Sequence, residues 1–278
     1  MSGTLRTFVL MAALTGLLAA LGWLLGGTQG AILALVLAGA GNLWAWWNSD
    51  KALLRQHNAV PVTEANGGDL IALVRQLADN AGLPMPAVYV LQTDQPNAFA
   101  TGRNPQNAAV AVTQGLLRTL SRDELAGVIA HELAHIRSRD TLIMTVTATL
   151  AGAIAIMGNM LMWSGNRERQ GGMIGALLLM ILAPLAATLV QMAISRTREF
   201  DADRDGALIA GSSRGLASAL VKIANAAGRT VNIPAERNPA SAAMFIINPL
   251  SGMRMDRMFA THPPTEERIA RLQALAAG

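Results

Sequence analysis

Four apolar runs without a single Asp, Glu, Lys or Arg punctuate the chain: about Phe8 to Leu25, Ala31 to Trp47, Thr141 to Trp163 and Met173 to Ile194. Each approaches the ~20 residues a helix needs to cross a bilayer. Shorter periods fill the stretches between them. Leu70, Leu73, Val74 and Leu77 repeat at helical spacing after Asp69, and Gly82 with Pro84 ends that helix. Ala87–Leu91 and Ala108–Val112 alternate as short strands, with Asn97–Gly102 between them as a third, at an edge. Ser121-Arg-Asp-Glu124 has the capping-box spacing that opens a helix. Ser212 or Ser213 begins another, which ends near Gly228. A loop rich in Asn, Pro and Met follows, and Pro263-Pro264 opens a terminal helix with Glu266 and Glu267 in its first turn. No internal repeat is present.

The pattern predicts a mainly α-helical, polytopic membrane protein with four transmembrane helices and a small β-sheet in its soluble part. The first run resembles a signal peptide, but a second run starts a few residues later, so an uncleaved helical hairpin is the better reading. The divisions are a hairpin over 1–47, a soluble piece over 48–140, a second hairpin over 141–194 and a second soluble piece over 195–278. Trp23, Trp44, Trp46, Trp47 and Trp163 lie near run ends, where amphipathic rings are favoured. Arg6, Lys51, Arg55, Arg137, Arg139, Arg196 and Arg198 flank the runs on one side; only Arg167 and Arg169 flank them on the other. The excess places both termini and both soluble pieces in the cytoplasm, at a bacterial-type inner membrane.

Composition agrees. Hydrophobic residues make up 52% and charged residues 14%, with mean hydropathy +0.35, too little charge to cover a soluble fold of 278 residues. No cysteine is present, which removes disulfides, thiol catalysis and Cys-rich metal sites. The net charge of +4 comes without a basic run or aromatic platform, so nucleic acid is not an expected partner; the bilayer is.

The sharpest chemical signal is His131-Glu132-Leu133-Ala134-His135. On a helix, residues i and i+4 share a face, so both imidazoles can bind one zinc ion while Glu132 serves as general base. Hydrolytic zinc uses three protein ligands and keeps a fourth position open. His57 and His262 are possible third ligands, but Glu199 is better placed, directly after the fourth run as the His pair directly precedes the third. Asp203, one turn beyond Glu199, can hold a ligating imidazole in its tautomer. His262, in a stiff loop before Pro263, is a candidate oxyanion donor or a loop histidine bonded to backbone. Arg268 can assist substrate binding there, or pair with Glu266, Glu267 or another acid. Asn97, Ala98, Phe99 and Ala100 offer an edge strand to a substrate backbone, unless they form a plain hairpin. The Met-bearing loop at 244–258 reads as an ordinary loop rather than a lid, and His57 as a surface residue without a role.

These residues carry a resemblance. The four runs, His131–His135, Ser195-Arg-Thr-Arg-Glu-Phe-Asp-Ala-Asp203, Pro96-Asn-Ala-Phe-Ala-Thr-Gly102 and Thr261-His-Pro-Pro264 together resemble the HtpX membrane zinc metalloproteases, relatives of the CAAX prenyl proteases. The resemblance implies a zincin-like α+β catalytic domain, one Zn2+ on His131, His135 and Glu199, Glu132 as acid/base, and unfolded or damaged membrane proteins as substrates. The alternatives are a four-span scaffold around a structural zinc, which leaves Glu132 unexplained, and a specific prenyl-protein peptidase. A transporter is disfavoured because the runs hold no ionisable residue. Oligomeric state is not legible.

Overall fold

A computed structural model describes residues 3–149, 196–227, 229–250 and 263–277. The third expected span beyond residue 149, the whole of the fourth, and His262 lie outside the described residues. The fold is mainly helical around one small mixed sheet.

Helix α1 (Gly3–Gln56) is two helices joined at Gly26 and Gly27, where Gly27 takes φ +58°, a left-handed turn that glycine adopts without strain. The chain doubles back there. Phe8 stacks on Trp46 with ring centroids 5.2 Å apart, and the Asn42 amide donates to Thr15 Oγ1 at 2.7 Å. Among the described residues, Gly26–Gln56 is the only helix long and apolar enough to cross a membrane; the first run contributes the shorter apolar stretch Met11–Ala20. Leu33, Val36, Leu37 and Leu43 stand exposed on it.

The sheet has the order β1-β2-β4-β3. Strand β1 (Ala59–Pro61) runs antiparallel to β2 (Ala87–Leu91); β2 is parallel to β4 (Asn107–Thr113); β3 (Ala98–Asn104) is antiparallel to β4. Strand β3 lies at the edge, as the pattern predicts, but begins one residue later and runs two further. Strand β1 was not legible: three residues hold no periodicity. Alternation along β4 divides the core. Ala108, Val110 and Val112 face one hydrophobic cluster, Ala109 and Ala111 the other.

Helices cover the first face: α2 (Glu64–Ala81), then, beyond the short α3 (Gln114–Thr119), α4 (Arg122–Arg137), and later α6 (Arg196–Ala210) and α7 (Arg214–Ala227). Helix α2 ends where Gly82 turns left-handed, as expected. The capping box of α4 forms as its spacing predicts, with Ser121 N–H donating to Glu124 at 2.8 Å. The same carboxylate accepts from Ser218 and Lys222, tying α4 to α7. A left-handed Arg139 (φ +59°) breaks the chain after α4, and helix α5 (140–149) leaves in a new direction.

The second face is covered by the foot of α1, by α5, by the short α8 (Ile233–Arg237) with the 3-10 turn Pro239–Met244, and by residues 245–250. Here the expectation for His57 fails. It is buried, with ring centroids 5.8 Å from Phe99 and 5.2 Å from Phe245. Ser241 Oγ gives its only proton to the Asn238 carbonyl at 2.7 Å, so His57 Nε2–H must donate to Ser241 Oγ at 3.1 Å. Helix α9 (Thr265–Ala277) closes the chain against α6 and α7, following the proline pair as predicted.

Candidate metal centre

Helix α4 presents His131 and His135 on one buried face, and α6 brings Glu199 opposite them. Close approach of the two helices requires Gly206: a Cβ there would stand 2.9 Å from the His131 Cα and backbone nitrogen. The two Nε2 atoms are 3.2 Å apart, and Glu199 lies 3.8 Å from His131 Nε2 and 3.5 Å from His135 Nε2. One donor atom from each of the three residues falls within 4.8 Å of the others. All three side chains are at most 4% exposed.

Asp203 stands 2.9 Å from His131 Nδ1, as its place one turn beyond Glu199 predicts. That contact puts the imidazole proton on Nδ1 and turns the Nε2 lone pair towards Glu199. Arg268 clamps the same carboxylate through two hydrogen bonds, Nε to Oδ2 at 2.8 Å and Nη2 to Oδ1 at 2.7 Å, and donates to the Ile246 carbonyl at 2.9 Å. It is therefore a buried partner of an acid, not a free substrate contact. Burial would raise the Asp203 carboxyl, but Arg268 and His131 hold it down at about 2.

Charge in the cluster is unbalanced. Burial pushes the His131 imidazole down to about 4, Asp203 opposing and Arg268 adding to the fall. Burial also works against protonated His135, yet Asp140, Glu199 and Glu132 outweigh it and carry that imidazole up to about 9. The carboxylates of Asp140, Glu199 and Glu132 thus favour a positive charge at His135. Two imidazole nitrogens and one carboxylate are a donor set that fits a divalent metal.

Glu132 sits beside the cluster, buried, and accepts a backbone hydrogen bond from Ala100 of β3. Burial, reinforced by Glu199, lifts its carboxyl to about 7. The edge strand thus passes alongside the carboxylate.

A model of peptidase family M48 matches residues 64–276, three-quarters of the chain, from α2 to the last turn of α9. The chain belongs to peptidase family M48. The M48 segment contains all of the convergent residues. A solved structure, S. mikatae Ste24p, superimposes with a TM-score of 0.52 at 19% identity, covering 97% of this chain. The M48 chain described here spans 64% of that protein's length, and the likeness is one of fold.

The expected residues divide into three groups. His131, Glu132, His135, Glu199, Asp203 and Arg268 come together. Asn97, Ala98 and Ala100 lie on the adjoining edge, but Asn97 clasps the backbone of Ile247 (2.7 Å to its carbonyl), and the Ala98 carbonyl accepts from Ile246 at 3.0 Å. Those contacts, expected for substrate, are made to the M48 chain's own segment. The Phe99 side chain points away, into the cluster with His57 and Phe245. Met244 and residues 245–250 are largely buried and the remainder of that loop, with His262, lies outside the described residues. Sequence reasoning missed Asp140, whose Oδ2 is 3.5 Å from His135 Nδ1, and the role of Arg198, which donates to Asp140 at 2.8 Å.

Proposed function

We propose that this M48 chain is a membrane-anchored zinc endopeptidase that cuts unfolded or damaged membrane proteins at the cytoplasmic face of a bacterial-type inner membrane. The observation that carries the reading is Glu132, a buried carboxylate lifted to about 7, beside a three-ligand nitrogen–oxygen cluster on one side and an edge strand on the other. A structural zinc scaffold would have no use for it. In this reading residues 48–140 and 195–278 form one catalytic unit, and 1–47 and 141–194 form its two membrane hairpins.

His131, His135 and Glu199 would hold the zinc. Once bound, the ion supplies a Lewis acid that polarises the scissile carbonyl and acidifies water. Glu132 takes a proton from the attacking water and returns it to the leaving amine. Its raised affinity for a proton suits both halves of that exchange. Asp203 and Arg268 keep His131 in the tautomer whose Nε2 lone pair faces inward. Main-chain recognition along strand β3, which suits substrates without a common sequence, would require residues 246 and 247 to give up the contacts they make there. A prenyl-specific peptidase is less favoured, since four spans leave little room for a chamber around a lipid tail. His262 remains a candidate to steady the oxyanion.

The test compares detergent-purified, zinc-loaded wild type with Glu132→Gln on an unfolded model protein. Wild type should cut and lose activity to a chelator. Glu132→Gln should bind zinc equally and fall by about 10^2 to 10^4 in rate. Equal cutting by both would refute the assignment of Glu132.

A further inference from the structure

Both imidazoles of the cluster face a carboxylate backed by an arginine. For His131 the chain is Asp203 and Arg268. For His135, the Nδ1 atom is buried with no hydrogen bond of normal length among the described residues, and it faces Asp140 Oδ2 at 3.5 Å. Asp140 is itself buried, and its other oxygen accepts from Arg198 Nη1 at 2.8 Å.

The backbone explains how Asp140 comes to stand there. On an unbroken helix, a residue five places after His135 would lie about 140° around the axis, facing away from the metal ligands. The turn through Ser138 and the left-handed Arg139 interrupts α4. It restarts the chain as α5 with Asp140 as first residue, directed back at the imidazole. A non-glycine residue in that conformation is strained.

We propose that Asp140 is the positioning residue for His135, accepting a hydrogen bond from its Nδ1–H so that Nε2 presents a lone pair to the metal, and that Arg198 in turn fixes Asp140. The proposal rests on the metal-centre reading above. Asp140 opens α5 and Arg198 lies in the first turn of α6. The orientation of one metal ligand is therefore tied to the junction of two helices that border the expected second membrane hairpin. A purely structural ion pair would serve equally well with its back to the site, and would leave His135 Nδ1 with no acceptor.

The experiment uses the full-length protein in detergent with zinc or cobalt(II) as the probe. The variants are Asp140→Asn, Asp140→Ala and Arg198→Gln. Arg137→Gln is the control, since it breaks a 2.7 Å pair between α4 and α6, the helices that carry the metal-binding side chains, without touching an imidazole. Chelator competition should show zinc affinity falling 10- to 100-fold in Asp140→Ala. Asp140→Asn, which keeps an acceptor without the charge, should fall less, and Arg198→Gln should lie between. The cobalt absorption bands should shift in Asp140→Ala. Arg137→Gln should lower the unfolding temperature and leave affinity and spectrum alone. Affinities within twofold of wild type for all three variants, with an unchanged cobalt spectrum, would overturn the proposal while zinc binding that is lost in His131→Ala keeps the metal-centre reading. Wild type that binds no zinc would overturn both. If Asp140→Ala does not fold, the two milder variants decide.

Discussion

Arg268 is held at the centre of the protein by charge rather than by shape. Its guanidinium is 1% exposed and donates to Asp203 twice and to the Ile246 carbonyl once. Removing one member of such a pair strands the other charge without solvent, a loss of about 3–5 kcal/mol. Arg268→Gln should therefore lower metal-free stability by that order. Because both changes break the same contact, adding Asp203→Asn to it should cost less than the sum of the two single changes. Denaturant midpoints of the two single variants and the double variant check this; strict additivity would mean that the pair is not coupled. His57 makes the opposite case, a titratable group kept neutral. Burial lowers its imidazole from 6.5 to about 4. The folded state therefore binds fewer protons than the unfolded state between those values. Stability is full above pH 6.5 and falls as the pH drops towards 4, by about 3 kcal/mol at most. His57→Gln, which keeps a donor for Ser241, should flatten that part of the pH profile of the unfolding temperature. A profile of unchanged slope would show that His57 takes up protons alike in the folded and unfolded states.

At the scale of elements, the metal centre depends on how near α6 can come to α4. Gly206 sets that distance against the backbone of His131, which cannot move aside as a flexible side chain can. Gly206→Ala gains about 1 kcal/mol of helix propensity but overpacks the contact by about 1–3 kcal/mol. The net expectation is a modest loss of stability together with weakened metal binding, since Glu199 retreats with α6. Calorimetry with and without added zinc reads both; unchanged affinity would mean that the helices adjust without moving the ligands. The same elements show what a sequence can and cannot disclose. His131, Glu132 and His135 were legible because one helical turn fixes their relation, and α4 announces its own start at Ser121. Glu199 and Asp203 were legible because their spacing repeats on a second helix bordering the same expected membrane hairpin. Asp140 was hidden, because only the left-handed turn at Arg139 brings it back to His135. The burial of His57 was hidden too, since its neighbours Ser241 and Phe245 lie more than 180 residues further along the chain. The edge position of β3 could be read from the extended character of residues 97–102, but not that residues 246 and 247 would lie along it.

On the scale of the whole molecule, the apolar hairpin is not a detachable anchor. Its last turns enter the second core cluster: Leu53 and Leu54 are buried with Phe99, Ile143, Met244 and Phe245, on the sheet face opposite α4. Beyond the sheet's edge, the Arg103 guanidinium lies over the Trp47 ring, 5.2 Å from its centroid, so the β3–β4 hairpin also rests on α1. Strand β3 therefore touches both, with Phe99 reaching the foot of α1 and Ala100 bonded to Glu132. Leu37, by contrast, is 63% exposed on the apolar surface of the same helix. Two leucines of one helix should then differ sharply. Leu53→Ala opens a cavity in a packed cluster and should cost about 2–5 kcal/mol, with peptidase activity falling as β3 loosens behind Glu132. Leu37→Ala touches nothing in the core and should leave both quantities near wild type when the protein is assayed in the same detergent. Equal effects from the two would mean that the hairpin acts only through its hydrophobicity; the difference expected here requires that apolar hairpin and sheet fold as a single body.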